Sequence, residues 1–314
     1  MQLEGLLRKK SINVLDKNQK LYLSLQHVFK ELSNYPYAVI KGEALSILAY
    51  GEAGYRASHD VDLLTCKTTL PHICRVLYNN GFTQRIPSRG GWRELTRMEE
   101  AMYANSHEIP PFRKFEKSIG EIIEIDVNFN VIWGESWEKS FDIEDWLHRC
   151  IDMWVYGVRI RSLAADDAFV QMCLHHYREM NSIYTMRLKN PISVAMFQDI
   201  YMFYVTNYQT RPEYLRRLAE HYHIMPYLYY LLYYVSLIFK DESLWGQLCK
   251  FYCKEGENLL DSYGLSKREK KKWKVDFFTR LNHPDIFRLI ENDLTANDFE
   301  KIDRILTVYE DKLD

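Results

Sequence analysis

The segment from Tyr37 to Leu64 constrains the fold more than any other part of the chain. It reads as a short apolar strand, a turn at Gly42, a short helix, a polar loop and a second apolar strand that opens with Asp60 and Asp62. Side chains two residues apart on a strand point to the same face, so the two carboxylates are expected to lie side by side. Such carboxylates repel each other unless a cation lies between them, and Mg²⁺ is the usual partner. The alternative is a solvated turn, where this spacing of aspartates is also common.

A later strand offers more carboxylates. The alternation over residues 121–129 places apolar side chains on one face, and Glu124, Asp126 and Asn128 on the other. Three carboxylates that hold two ions about 3.5–4 Å apart are typical of phosphoryl and nucleotidyl transfer. Both Asp126 and Glu124 lie on the polar face, so either can be the third carboxylate. The helix N-terminus in the earlier segment adds a place where a phosphate can bind.

The composition is that of an ordinary soluble globular protein, with 47% hydrophobic and 27% charged residues among 314. A net charge of −2 argues against a nucleic-acid partner. Six cysteines without a C-x-x-C pair indicate reduced, buried thiols rather than disulfides or a zinc site. The most apolar run, Ile224 to Phe239, is too short to span a membrane, and the polar N-terminus lacks a signal-peptide core. We therefore expect a cytoplasmic protein with no membrane partner.

The strand and helix patterns divide the chain near residue 162. Before that point, helical spacing occurs over 18–33, 44–50 and 70–80, and strand patterns occur over 37–40, 61–66, 82–86, 92–97, 112–117, 121–129 and 154–161. From Leu163 onward the strand patterns vanish and helical patterns continue to the end. The predicted fold class is α+β: a domain over 1–162 with an N-terminal helix and a small mixed sheet flanked by helices, then an all-helical domain over 163–314.

The motifs resemble those of the nucleotidyltransferases related to DNA polymerase β, and in particular the branch of uncharacterised bacterial nucleotidyltransferases. That branch reads K-G-x-A-L, then R, then D-x-D-L-L, then a strand that contains V-D. The matching segments are Lys41 to Leu45, Arg56, Asp60 to Leu64, and Ile125 to Val127. The segment from Asp166 to His175 is similar to the family's helix with a terminal histidine. The resemblance covers about residues 37–205.

The resemblance implies a nucleotidyltransferase fold in the N-terminal domain and a role for each matching residue. Asp60, Asp62 and Asp126 would be the catalytic carboxylates and would bind two Mg²⁺ ions, with Mn²⁺ as an alternative. The resemblance favours Asp126 over Glu124 as the third carboxylate. Nucleotide binding is implied for Lys41, Gly42, Arg56 and Ser58. Arg56 has a plain alternative as a surface arginine, and Ser58 has one as the cap of a turn.

The implied reaction is the transfer of a nucleoside monophosphate from ATP or another NTP donor to an unidentified hydroxyl-type acceptor, with release of pyrophosphate. The acceptor can be a small molecule, a peptide or a protein. Two departures stand out: Glu43 lies where the wider superfamily often has a serine after the glycine, and Asn128 lies where this branch often has a histidine two residues after the third carboxylate. Glu43 favours an alternative function, a catalytically weak nucleotide-binding or antitoxin-like partner protein on the same scaffold.

Three features of the second half have both a functional and a structural interpretation. His175 and His176 with Asp199 suggest a metal or acid–base site, although a histidine pair on an amphipathic helix is more often packed or hydrogen-bonded. The tyrosine-rich run from Tyr227 to Tyr234 indicates a core helix, with base stacking as the alternative. The run from Lys267 to Lys272 is typical of a solvated helix face, with a phosphate-rich partner as the alternative.

Overall fold

A computed structural model describes residues 12–56, 60–88, 91–104, 106–131, 141–188 and 192–309 of the chain. The chain divides into two compact units between Ala168 and Phe169. Among the helices of the described ranges, none combines the length and the apolar character needed to cross a membrane.

The first unit contains the sheet and the helices that cover it. Its helices are α1 (Ile12–Ser24), α2 (Gln26–Leu32), α3 (Gly42–Tyr50), α4 (Leu70–Asn79), α5 (Arg97–Ala104) and α6 (Ile143–His148). Its strands are β1 (Ala38–Ile40), β2 (Asp60–Leu64), β3 (Ile86–Ser88), β4 (Gly91–Arg93), β5 (Phe112–Glu116), β6 (Glu121–Asn128), β7 (Ile151–Val155) and β8 (Val158–Ser162).

Six of these strands form one mixed sheet in the order β5-β6-β2-β1-β8-β7. β1 is antiparallel to β2 and parallel to β8, and β2 is parallel to β6. The apolar residues of β2 and β6, among them Val61, Ile125 and Val127, are buried against α1, α2 and α4. Their polar neighbours therefore share the opposite face. The mixed sheet with its flanking helices confirms the predicted α+β fold.

The hairpin of β7 and β8 turns at Tyr156 and Gly157. Both residues have positive φ, 51° and 81°, as a two-residue type I′ turn requires. Other boundaries differ from the prediction. The helix predicted over 18–33 is two helices, α1 and α2, separated by a turn at Leu25. The strand predicted over 82–86 is only a bridge, since the backbone of Thr83 pairs with that of Arg113 in β5.

The second unit is mostly helical. Its helices are α7 (Ala165–Asn181, which crosses the division), α8 (Ile183–Arg187), α9 (Val194–Asn207), α10 (Pro212–His221), α11 (Met225–Phe239), α12 (Glu242–Gln247), α13 (Lys254–Leu260), α14 (Phe277–Asn282) and α15 (Ala296–Tyr309), with short 3₁₀ turns at Leu248–Lys250, Ile286–Leu289 and Glu291–Asp293. It also contains a small hairpin of β9 (Ser262–Tyr263) and β10 (Lys271–Lys272), which the helical pattern did not predict.

Two sequence interpretations of this unit can now be judged. The tyrosine-rich run lies in α11, where Tyr229, Tyr230 and Tyr234 are buried, as a core helix requires. The run from Lys267 to Lys272 is not helical: it forms the turn before β10 and the strand itself. The prediction of a helix was wrong because a run of charged residues has no apolar period that distinguishes a helix from a turn.

The six cysteines form no disulfide. Cys66 and Cys173 are buried, three others are half-buried, and Cys249 is exposed. The prediction of reduced thiols agrees with the structure. The prediction that the thiols are buried holds for Cys66 and Cys173 but not for the exposed Cys249.

Candidate active site

The turn between β1 and α3 has a strained backbone. Lys41 has φ 63° and ψ −154°, a conformation that residues other than glycine rarely adopt and that costs roughly 1–3 kcal/mol. Gly42 follows with φ 45° and begins α3. The first amides of a helix have no intrahelical acceptor and carry partial positive charge, so this turn presents donors to a bound anion. Backbone strain of this kind is concentrated at functional sites.

Three predicted carboxylates come together on adjacent strands. In the parallel register of β2 and β6, Asp60 lies opposite Glu124 and Asp62 lies opposite Asp126. Neighbouring strands are about 4.8 Å apart, and residues in register project on the same side of the sheet. Asp62 is buried, Asp126 is half-buried, and Asp60 is at the exposed start of β2.

The charges in this cluster are not balanced among themselves. Burial raises the pKa of Asp126 well above its usual range, and the nearby carboxylates of Asp62, Glu124, Glu108 and Asp60 raise it further. Glu108 was not predicted as a site residue. It lies in an irregular segment before β5, where its backbone pairs with that of Asn128 in β6, and no periodic pattern identifies it.

Lys41 supplies a positive charge beside these carboxylates. Its Nζ lies 2.6 Å from Oδ1 of Asp62, in an ion pair that is largely shielded from solvent. Burial and the Asp62 carboxylate raise the pKa of Asp60, while Lys41 lowers it. The ammonium group therefore offsets part of the repulsion within the cluster.

A neighbouring arginine distinguishes Glu124 from Asp126. Nε of Arg113 donates to Oε2 of Glu124 at 2.5 Å, and the arginine is only 5% exposed. Arg113 lies opposite Glu124 in the register of β5 and β6, so this pairing follows from the sheet. Glu124 is thus committed to a buried cation, which leaves Asp126 as the better third carboxylate.

Arg56 lies close to the same cluster. Burial lowers the pKa of its guanidinium, whereas the nearby Tyr50, Asp62, Glu43 and Asp60 act in the opposite direction. The structure therefore brings Arg56 together with the carboxylates. The predicted binding residue Ser58 and the loop residue His59 lie outside the described residues.

Both departures from the family pattern have a structural role. The side chain of Glu43 is fully buried and accepts hydrogen bonds from Asn18, Tyr156 and the backbone of Gly54. Asn128 is also buried, and its Nδ2 donates to the carbonyl oxygen of Leu63 at 3.3 Å. Glu43 and Asn128 thus both form buried hydrogen bonds within the first unit.

The donor set fits a hard cation. Asp60, Asp62 and Asp126 offer only carboxylate oxygens, the ligands that Mg²⁺ prefers, and burial together with the neighbouring carboxylates raises the pKa of Asp126. Within the described ranges, no three histidine, cysteine, aspartate or glutamate side chains already converge as a closed metal site.

The histidine candidates of the second half lie in helices of the second unit. His176 in α7 and Asp199 in α9 are both buried, with Nε2 and Oδ2 separated by 3.6 Å. Nδ1 of His175 lies 3.3 Å from a guanidinium nitrogen of Arg178. These contacts agree with the structural interpretation of the pair.

The family of the chain follows from a match to a family model described as "uncharacterised nucleotidyltransferase", which covers residues 2–240. The chain belongs to this family. The match confirms the branch that the K-G-x-A-L and D-x-D-L-L motifs indicate. It extends over every predicted site residue and ends one residue after α11.

Comparisons with curated proteins and with solved structures add little to this family assignment. No curated protein matches the chain. The crystal structure of an antigenic nucleotidyltransferase-like protein from Paracoccidioides brasiliensis is 15% identical, and the match covers 63% of this chain and 91% of that chain. Its TM-score is 0.30, so we base no argument on it.

Proposed function

We propose that this nucleotidyltransferase transfers a nucleoside monophosphate from an NTP such as ATP to a hydroxyl-type acceptor, with release of pyrophosphate. The register that places Asp62 opposite Asp126 carries the proposal. Asp62 also lies opposite Ile40, two residues before the start of α3, so the carboxylates and the phosphate-binding turn share one end of the sheet.

Each residue would contribute alignment and charge rather than covalent chemistry. Gly42 lets the triphosphate approach the first amides of α3, and Lys41 and Arg56 offset its negative charge. The acceptor oxygen attacks the α-phosphorus while the bond to the pyrophosphate oxygen breaks in line. The proton of the acceptor hydroxyl leaves by way of Asp126.

Asp60, Asp62 and Asp126 are the residues that would hold two Mg²⁺ or Mn²⁺ ions. Bound there, the ions would neutralise the phosphates and lower the pKa of the acceptor hydroxyl. The three carboxylates would keep the donor and the acceptor aligned. The unidentified acceptor is a small molecule, sugar, peptide or protein, and the net charge of −2 argues against a nucleic acid.

The test is mass spectrometry of products after incubation of the purified protein with each NTP, Mg²⁺ and a lysate of its own host. We expect a product whose mass has increased by one nucleotide, and Asp126→Asn should lower its rate by about 100-fold or more. Glu124→Gln is the matched control on the same face. Because Glu124 pairs with Arg113, this change should lower stability and reduce the rate less than about tenfold.

Equal rates for wild type, Asp60→Asn, Asp62→Asn and Asp126→Asn would contradict the proposal.

A second candidate function is a nucleotide-binding partner protein with weak or no catalysis. The Lys41–Asp62 ion pair favours it, because an ammonium already neutralises one of the metal-binding carboxylates. That candidate predicts NTP binding by calorimetry without any nucleotide-modified product.

A further inference from the structure

The loop over residues 51–56 is held in place within the first unit by three buried polar side chains, those of Ser46, Glu43 and Asn18. Oγ of Ser46 donates to the carbonyl oxygen of Glu52 at 2.9 Å and accepts from the backbone nitrogen of Tyr55 at 3.2 Å. Oε2 of Glu43 accepts from the backbone nitrogen of Gly54 at 2.8 Å. Nδ2 of Asn18 donates to the carbonyl oxygen of the loop's last residue at 2.7 Å.

Glu43 is the centre of this arrangement. Its Oε1 accepts from Nδ2 of Asn18 and from the hydroxyl of Tyr156, both at 2.5 Å, and its side chain is completely buried. One carboxyl group thus connects α1, the β7–β8 turn and the loop. Buried carboxyl groups are costly unless their hydrogen bonds are complete, and here both oxygens have partners.

The backbone of the loop lies unusually close to α1. Gly54 has φ 98°, and a Cβ at this position would lie 2.4 Å from Cδ1 of Leu15. The positive φ favours glycine at this position, and in this conformation the nitrogen of Gly54 reaches Glu43. Arg56 is the last residue of this segment, and its guanidinium interacts electrostatically with Asp62 and Asp60.

We propose that Glu43 is a positioning residue for nucleotidyl transfer: with Asn18, its carboxyl group fixes the 51–56 loop so that Arg56 faces the triphosphate of the NTP. This inference rests on the proposed function. In the sequence analysis, glutamate in place of serine at position 43 favours a catalytically weak protein. In this proposal Glu43 instead supports catalysis, because it fixes the loop that carries Arg56 and so acts on the phosphates without contacting them.

The test combines hydrogen exchange of the loop with steady-state kinetics. In Glu43→Gln and Glu43→Ser, amide exchange over residues 51–56 should be about tenfold faster or more than in wild type. The KM for the NTP should rise about tenfold, with a smaller change in kcat. Asn18→Ala should give the same pattern, since it removes the hydrogen bond to the carbonyl of Arg56.

Two controls separate positioning from simple stabilisation. Tyr156→Phe removes a hydrogen bond to Glu43 that does not involve the loop, so it should lower the melting temperature without speeding loop exchange. Glu52→Gln changes a carboxylate on the loop itself and should leave both loop exchange and KM unchanged. In a double-mutant cycle, Glu43→Gln and Arg56→Lys should be far from additive in KM, because both act through the same guanidinium.

The proposal is overturned if loop exchange is unchanged in Glu43→Gln, or if Glu43→Ser binds the NTP as well as wild type. The second result would mean that a side chain at this position contacts the phosphates directly. Hydrogen exchange requires no turnover. A protein without transfer activity would therefore contradict the proposed function, while unaltered exchange would contradict the role of Glu43.

Discussion

Lys41 joins two unusual properties in one residue. Its backbone adopts a conformation that favours glycine, and its ammonium group forms an ion pair with the buried Asp62. The side chain reaches back from the turn before α3 to Asp62 in β2. An ammonium beside two carboxylates offsets part of their repulsion, as a metal ion would, so a metal ion bound there would compete with Lys41 for Asp62.

Lys41→Met should therefore strengthen metal binding in the absence of nucleotide. We expect the affinity for Mn²⁺ or Mg²⁺ to rise about 3- to 10-fold, as the loss of an opposing interaction of roughly 1 kcal/mol implies. Titration calorimetry and the paramagnetic resonance of free Mn²⁺ both measure this directly. Lys20→Met removes an exposed ammonium from α1 and is the matched control. Unchanged affinity in Lys41→Met would show that the ion pair does not oppose metal binding.

At the scale of elements, the register between β2 and β6 creates the site. A slip of β6 by one residue against β2 would turn Asp126 toward the core and expose Ile125, so Asp126 would leave the face that holds Asp62. The apolar residues of both strands are buried, so the same pattern that forms the core also fixes the carboxylates. Turns determine the register elsewhere, and the hairpin of β9 and β10 offers a clear test of one such turn.

Gly264→Ala and Gly246→Ala, both in the second unit, should change stability in opposite directions. Gly264 has φ 89°, and a Cβ there would lie 2.4 Å from the backbone oxygen of Glu269, so alanine should cost at least about 2 kcal/mol. Gly246 lies within α12 with no atom close to an added Cβ, so alanine should stabilise by about 0.5–1 kcal/mol. Urea denaturation measures both. Equal effects would mean that this turn does not control the stability of the unit.

The sequence predicted those parts of the fold in which an apolar period is strong. The bounds of β6 and α4 were predicted within one or two residues. That Asp60 and Asp62 lie on the same face follows from the alternation of side chains along β2 alone. The role of Glu43 was not predictable, because its three partners come from distant segments of the chain. Arg113 and Glu108 were missed for the same reason: neither has a local pattern, and only the folded sheet brings Arg113 to Glu124 and Glu108 to Asp126.

At the scale of the whole molecule, the family match ends at residue 240 although the second unit continues. Residues after position 240 pack against the buried face of α11. The ring of Tyr234 stacks on that of Phe277 with centroids 3.8 Å apart, and its hydroxyl donates to the carbonyl oxygen of Leu260 at 2.7 Å. The guanidinium of Arg280, which is only 2% exposed, donates to the same hydroxyl.

A chain truncated after residue 240 should therefore fail to pack its second unit. Removal of this segment would expose Tyr234 and the rest of the buried face of α11 to water, at about 25 cal/mol per Å² of apolar surface. We expect the near-ultraviolet circular dichroism of tyrosine to fall and binding of a hydrophobic dye to rise, relative to the full chain. Retention of the tyrosine signal and of cooperative unfolding in the truncated chain would contradict this expectation.

The position of β1 in the sheet has a consequence for the time course of synthesis. β1 lies between β2 and β8, and its partner in β8, Ser162, follows Val39 by about 120 residues. At ~5–20 residues per second, the ribosome needs about 6–25 s to supply that partner after β1 is made. During this interval one edge of β1, which leads directly to Lys41, remains without its neighbour. The sheet of the nascent chain thus stays open at β1 until β8 has been made.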